Sequence, residues 1–259
     1  MGMVFNLAFA TFGEAIRRKI LLIFLVVSIA MMVLFFAFSQ FNAYQQLVII
    51  KSTGLGLISI TGLFISVILG INLIPNEIDK RTIYTILSKP VSRWQFIVGK
   101  FIGALMTVFV NILAMGVVFY IFVWIKLQAP EYSIIDGIVM IFFQMMLVNA
   151  VAMMFSVFVT PFVNFFLTFA TYIVGSMSSV TESLAMPNAK QNIIVTWFFK
   201  AIHFLIPNFG NYNIQNPIIH PDIQIVNMAS YMWQNIVLAI IEVMIMMLVA
   251  IIVFDRREV

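Results

Sequence analysis

The chain has 259 residues, 63% of them hydrophobic and 9% charged, with a formal net charge of +4 and no cysteine. Soluble domains carry about 25% charged residues, so this composition excludes an ordinary soluble domain and implies an all-α integral membrane protein. Without cysteine there is neither a disulfide framework nor a thiolate metal site.

Residues 1–19 are apolar and end in Arg17-Arg18-Lys19. Phe5, Phe9, Phe12 and Ile16 recur at helical spacing, while Asn6, Thr11 and Glu14 interrupt the other faces. The pattern predicts an interfacial helix with its basic end at the headgroups. Ala37 and Ser39 mimic a signal-peptide cleavage site. However, the preceding run 20–38 is 19 residues long, and its basic cluster lies deep in the chain, so it reads as the first transmembrane helix.

Five more apolar blocks follow, at 54–74, 101–125, 137–159, 165–181 and 232–254. Crossing the hydrocarbon core takes about 20 helical residues; block 165–181, with 17, is the shortest. With the N-terminus inside, the inner segments hold ten basic residues and the outer ones four, Lys51, Lys126, Lys190 and Lys200. That asymmetry predicts six spans with both termini cytoplasmic, in a single transmembrane domain over residues 1–259. It also argues that 165–181 crosses, since otherwise Asp255-Arg256-Arg257 would be stranded outside. The outer segment 182–231 is rich in proline and asparagine and holds a 14-residue apolar run, Ile193–Ile206. That run is too short to span and reads as re-entrant or interfacial.

Between the second and third blocks lies a charged island, residues 76–100, with Lys80, Arg81, Lys89, Arg93 and Lys100 beside Glu77 and Asp79. It belongs at the water interface. Within it, Thr82–Leu87 and Trp94–Val98 can each form a short helix around the turn Lys89-Pro90-Val91-Ser92-Arg93, because Pro90 disfavours helix at the residue before it. Ser92 with Gln95 makes a capping-box pattern. The plainer reading is a positive loop that only fixes topology.

The residues Glu77, Arg81-Thr82, Leu87, Pro90-Val91-Ser92-Arg93, Phe96 and Gly99-Lys100 resemble the loop between the second and third helices of type-2 ABC exporter permeases. Ala10–Ile20 is similar to their elbow helix, Pro207-Asn208-Phe209 with Tyr212-Asn213 to a stretch before their last helix, and Phe254-Asp255-Arg256-Arg257 to their terminus. Many members have glycine before the motif threonine, where this chain has Arg81. The resemblance implies that 76–100 is a cytoplasmic coupling loop seated in a separate ABC ATPase. ATP-driven closure of two ATPase subunits would then rock a dimer of permeases, identical or sister copies, between inward-open and outward-open states. It implies ATP and magnesium on the partner and no cofactor on this chain. Charge pairs through Glu77, Arg81 and Arg93 would set register, with Ile83, Leu87 and Trp94 as apolar anchors.

No phosphate-binding loop is present: five residues before Gly99-Lys100 stands Trp94, and Phe101 follows where Ser or Thr is needed. The chain is therefore expected to be a transport subunit and not itself an enzyme, with lipid around it and no nucleic-acid partner. Glu242, midway along the last block, is a candidate pathway or proton site, since a carboxyl near the midplane is costly. Hydrogen bonding to a neighbouring helix is its structural alternative. His203 and His220 lack the ligand spacing of a zinc site. Gly99 and Gly103 form a single GxxxG that permits close helix packing. Asn111, Gln144 and Asn149 are placed to hydrogen-bond between helices. The alternative function is an ion- or proton-coupled secondary transporter using Glu242, which leaves the Lys89–Arg93 motif unexplained. An intramembrane enzyme would need paired catalytic groups, and Glu242 stands alone.

Overall fold

The computed structural model describes residues 2–39, 46–75, 92–178, 193–214, 218 and 227–256. Regular structure among them is helical: α1 (Gly2–Ile16), α2 (Lys19–Ser39), α3 (Gln46–Asn72), α4 (Arg93–Leu127), α5 (Ser133–Ser156), α6 (Pro161–Ser176), α7 (Ile193–Leu205), a 3₁₀ turn (Phe209–Tyr212) and α8 (Met228–Asp255). Five described helices, α2, α3, α4, α5 and α8, are long and apolar enough to cross a bilayer.

At the position of the fifth expected span stands α6, with 16 residues. At about 1.5 Å per residue it is shorter than the roughly 30 Å hydrocarbon core. Its C-terminal end is blocked: a Cβ on Gly175 would lie 2.3 Å from the Pro207 carbonyl oxygen and 2.5 Å from the Phe209 ring. The chain after α7 therefore lies across the end of α6, and only glycine fits beneath it.

The central pair is α3 and α5, and their sequences explain why. α2 is apolar all round, without an inward stripe, and most of it is exposed. α3 carries Gly54, Ser59, Thr61, Gly62, Ser66 and Gly70, small residues that let a neighbouring backbone approach, and most of it is buried. At Gly70 an added Cβ would lie 2.5 Å from Ala152 Cβ on α5. Four residues earlier, Asn149 Nδ2 of α5 donates to the Ser66 carbonyl at 2.9 Å. The expected interhelical bond of Asn149 is thus present. Asn111 instead donates back to Thr107 of its own helix, because Thr107 lies one turn below it. Gln144 Nε2 donates to the Phe209 carbonyl at 3.0 Å.

That last bond fixes the depth of the segment after α7. Gln144 lies in the middle of α5, and Phe209 and Tyr212 are fully buried. Tyr212 Oη donates to the Asn235 carbonyl and Tyr231 Oη to the Asn211 carbonyl, binding the turn to α8. The 3₁₀ turn is therefore packed into the bundle, whereas Trp197, Phe198, Phe204 and Leu205 of the apolar run before it are exposed. α7 before it holds His203, whereas His220 lies outside the described residues.

Two expected boundaries move for physical reasons. α3 begins at Gln46, eight residues before 54, which brings Lys51 into the helix. This is tolerated because Lys51 Nζ pairs with Glu131 Oε1 of the α4–α5 connection and also donates to the Ile218 carbonyl. Ser133 Oγ donates to the same Glu131 oxygen. Three segments are thereby tied at the end of the bundle opposite the α4 start. Lys51→Met is expected to cost about 1–3 kcal/mol, since it strands a largely buried carboxylate. The Lys51→Met/Glu131→Gln double variant should recover part of that in thermal unfolding. Additive losses would remove the pair as the tie.

The second shift is the start of α4. Trp94–Val98 is not a separate loop helix; it forms the first turns of α4, which runs unbroken through Gly99 and Gly103. No proline separates Trp94 from Phe101, and α1 packs over both glycines, as described next.

Candidate coupling site and the end of the last helix

Of the predicted loop residues, Glu77, Arg81, Thr82, Lys89, Pro90 and Val91 lie outside the described residues. Ser92, Arg93, Gly99 and Lys100 stand at the start of α4. Ser92 is the N-cap in extended conformation, and its amide donates to Gln95 Oε1 at 3.2 Å, the reciprocal bond that the capping-box pattern predicts.

Arg93 turns toward the far end of the chain. Its Nη1 donates to the Phe254 carbonyl at 3.1 Å and the Asp255 carbonyl at 3.0 Å. Its Nε lies 4.0 Å from Asp255 Oδ1, and its guanidinium sits 6.0 Å from the centre of the Phe254 ring. The Phe254 ring in turn stacks on Phe96 at 6.0 Å. Helix C-termini leave their last carbonyls without intrahelical donors and carry partial negative charge. A guanidinium, with several donors in one plane, answers both needs. The first turn of α4 is in this way fastened to the last turn of α8.

The other side of the same turns is held by α1. A Cβ on Gly103 would lie 2.6 Å from the Ala8 carbonyl oxygen and 2.6 Å from Thr11 Cβ; one on Gly99 would meet Leu7 at 2.9 Å. The GxxxG is therefore a helix crossing, with Ala8, Thr11 and Ala15 as the small inward face of α1. Of the predicted apolar stripe, Phe5, Phe9 and Ile16 face outward and Phe12 is half-buried. Lys100 is buried, its Nζ 5.9 Å from the Phe96 ring centre. Trp94, one residue from Arg93, is exposed. The first three or so turns of α4 thus combine an outward aromatic, a cation committed to α8 and a glycine face committed to α1.

Glu242 is remote from these groups, midway along α8. Its Oε2 is buried with no hydrogen-bond partner among the described residues, and the same holds for Asn208 Oδ1. Both line one cavity of about 280 Å³. Reading the sequence overlooked Asn208 as a functional group, although Pro207-Asn208-Phe209 was visible as a motif. It also overlooked Phe254 and Asp255 as partners of Arg93. The available signal was the need of a helix C-terminus for a cation.

This arrangement defines a polytopic helical membrane protein in which the described part of the charged segment, residues 92–100, is built into the end of the helix bundle. The family model for ABC-2 family transporter proteins matches residues 5–259, and the chain belongs to that family. It is accordingly the membrane subunit of an ABC transporter, in a family whose members lack an ATPase domain. No curated protein matches the chain.

Proposed function

We propose that this permease is the moving half of an ATP-driven exporter. A separate ABC ATPase grips the 76–100 loop from the cytoplasm, and two permease copies form the pathway by alternating access. The single observation that carries the reading is the attachment of the α4 start to both α1 and the end of α8. A force applied to the loop is delivered at once to three helices, which then move as one body. α1 is the elbow at the headgroups, both termini are cytoplasmic, and α6 is the fifth of six crossings. ATP and magnesium reside on the ATPase. Exposed Trp94 is the described group best placed to contact that partner, with Glu77 and Arg81 setting register. Membership of the ABC-2 family favours this reading over a proton-coupled transporter.

Because Arg93 is committed inside the chain, Glu77→Lys is the cleaner surface test. Tagged protein purified in mild detergent should carry an ABC ATPase identifiable by mass spectrometry. Glu77→Lys should lose most of it while keeping its own yield and thermal midpoint. An ATPase absent from the wild type, or retained fully by the variant, would overturn the coupling-loop assignment.

A further inference from the structure

Two buried oxygens that line one cavity have no hydrogen-bond donor among the described residues. Glu242 Oε2 comes from α8, and Asn208 Oδ1 comes from the N-cap of the 3₁₀ turn. They line a cavity of about 280 Å³ whose other walls, among them Phe204, Pro207, Ile245 and Met246, are apolar. The turn carrying Asn208 is held by Gln144, Tyr212 and Tyr231, each through a hydrogen bond to backbone. Asn208 is therefore presented by a rigid support. A carboxyl at membrane depth is retained at a cost of several kcal/mol unless something pairs with it, and an orphan amide oxygen adds to that cost.

The chemistry of the missing partner is narrow. Toward the two unpartnered atoms, Glu242 Oε2 and Asn208 Oδ1, it must donate rather than accept. It must tolerate apolar walls. A hard metal ion takes about six to eight oxygen ligands, and two are too few. A protonated amine on an apolar body satisfies all these conditions: it donates to both oxygens, neutralises the carboxylate and fills the remaining space with hydrocarbon. We infer that this cavity is a binding subsite for an amphipathic primary amine, seated between Glu242 and Asn208. Given the exporter reading, on which this rests, such amines are the substrate class. Phe204 and Leu205, which also line the cavity, are exposed.

The test uses the full chain in lipid nanodiscs without any ATPase, so its failure would leave the coupling assignment standing. The probes are 3-phenylpropylamine, 3-phenylpropan-1-ol and 3-phenylpropionate, which share one body and differ in the head group. The amine should raise the unfolding midpoint in proportion to the logarithm of its concentration, and the alcohol and acid should not. Glu242→Gln should weaken the amine by about tenfold or more, the loss expected for a charge-assisted hydrogen bond. Asn208→Leu should weaken it less. Equal effects of amine and alcohol would mean that the two oxygens are bridged by a water or by each other, and would overturn the inference. So would amine binding undiminished in Glu242→Gln. Should that variant fail to fold, Ile245→Trp, which fills the cavity from its edge and leaves both polar groups intact, must abolish the amine effect.

Discussion

Replacing Gly103 with leucine should release the N-terminal helix from the bundle and cost about 1–3 kcal/mol, the usual range for overpacking a close contact. The neighbours of the new side chain are the Ala8 carbonyl and Thr11 Cβ, both at 2.6 Å from the first added carbon. Neither is the mobile end of a flexible side chain, so α1 as a whole must move. Gly99→Ala offers a graded comparison. Its contact is the side chain of Leu7 at 2.9 Å, which can rotate away, and the loss should be a fraction of that for Gly103→Leu. Gly13→Leu is the control, because no atom lies within 4 Å of its added Cβ. Thermal unfolding in nanodiscs gives the cost, and hydrogen exchange over residues 2–16 reports the detachment. If Gly103→Leu matched Gly13→Leu in both, the crossing would not hold α1. Detachment would also uncover Lys100, which is buried in the same turns.

How much of this was legible beforehand depends on the kind of signal. Spans were readable because hydrocarbon thickness demands long apolar runs, and α2, α4, α5 and α8 fall close to the expected blocks. Boundaries failed where tertiary pairing overrides hydropathy. Lys51 ends an apolar run in the sequence, yet lies inside α3 because Glu131, 80 residues away, pairs with it. Trp94–Val98 looked like a loop helix because charge stops at Lys100, whereas the helix itself does not stop there. The amphipathic stripe of α1 was read correctly as a face, but its inward side is the small-residue face, Ala8, Thr11 and Ala15. In lipid a phenylalanine stripe has no need to turn inward, and close packing favours small residues instead. The capping box at Ser92 and Gln95 was local and therefore readable. Asn208 with Glu242, and Arg93 with Phe254, join residues far apart in the chain, and nothing local announces such pairs.

Arg93 is where the local and the distant meet, and its substitution should have the largest functional effect. The reading from sequence alone makes Arg93→Glu a surface change that leaves the fold untouched. The geometry predicts otherwise. Two carbonyls at the end of α8 lose their donor, and a carboxylate is set beside the negative end of that helix and beside Asp255. Hydrogen bonds to a charged group contribute about 1.5–3 kcal/mol. Arg93 retains 32% side-chain exposure, so about 1–2 kcal/mol is expected for Arg93→Ala and more for Arg93→Glu. Arg93→Lys keeps the charge but not the fork of planar donors, and should fall between alanine and wild type. Amide exchange at residues 250–255 should quicken in the order Lys, Ala, Glu, while exchange in α3 and α5 stays unchanged. The chain has no cysteine, so a spin-label pair introduced at Gln95 and Ile251 is unique. Its distance distribution should be narrow in the wild type and broad in Arg93→Glu. With the ATPase bound, nucleotide should shift that pair as one body only while Arg93 is intact. A distribution equally narrow in both proteins would show that the Phe96–Phe254 stack alone joins the two ends, and Arg93 would then be free to serve the partner after all.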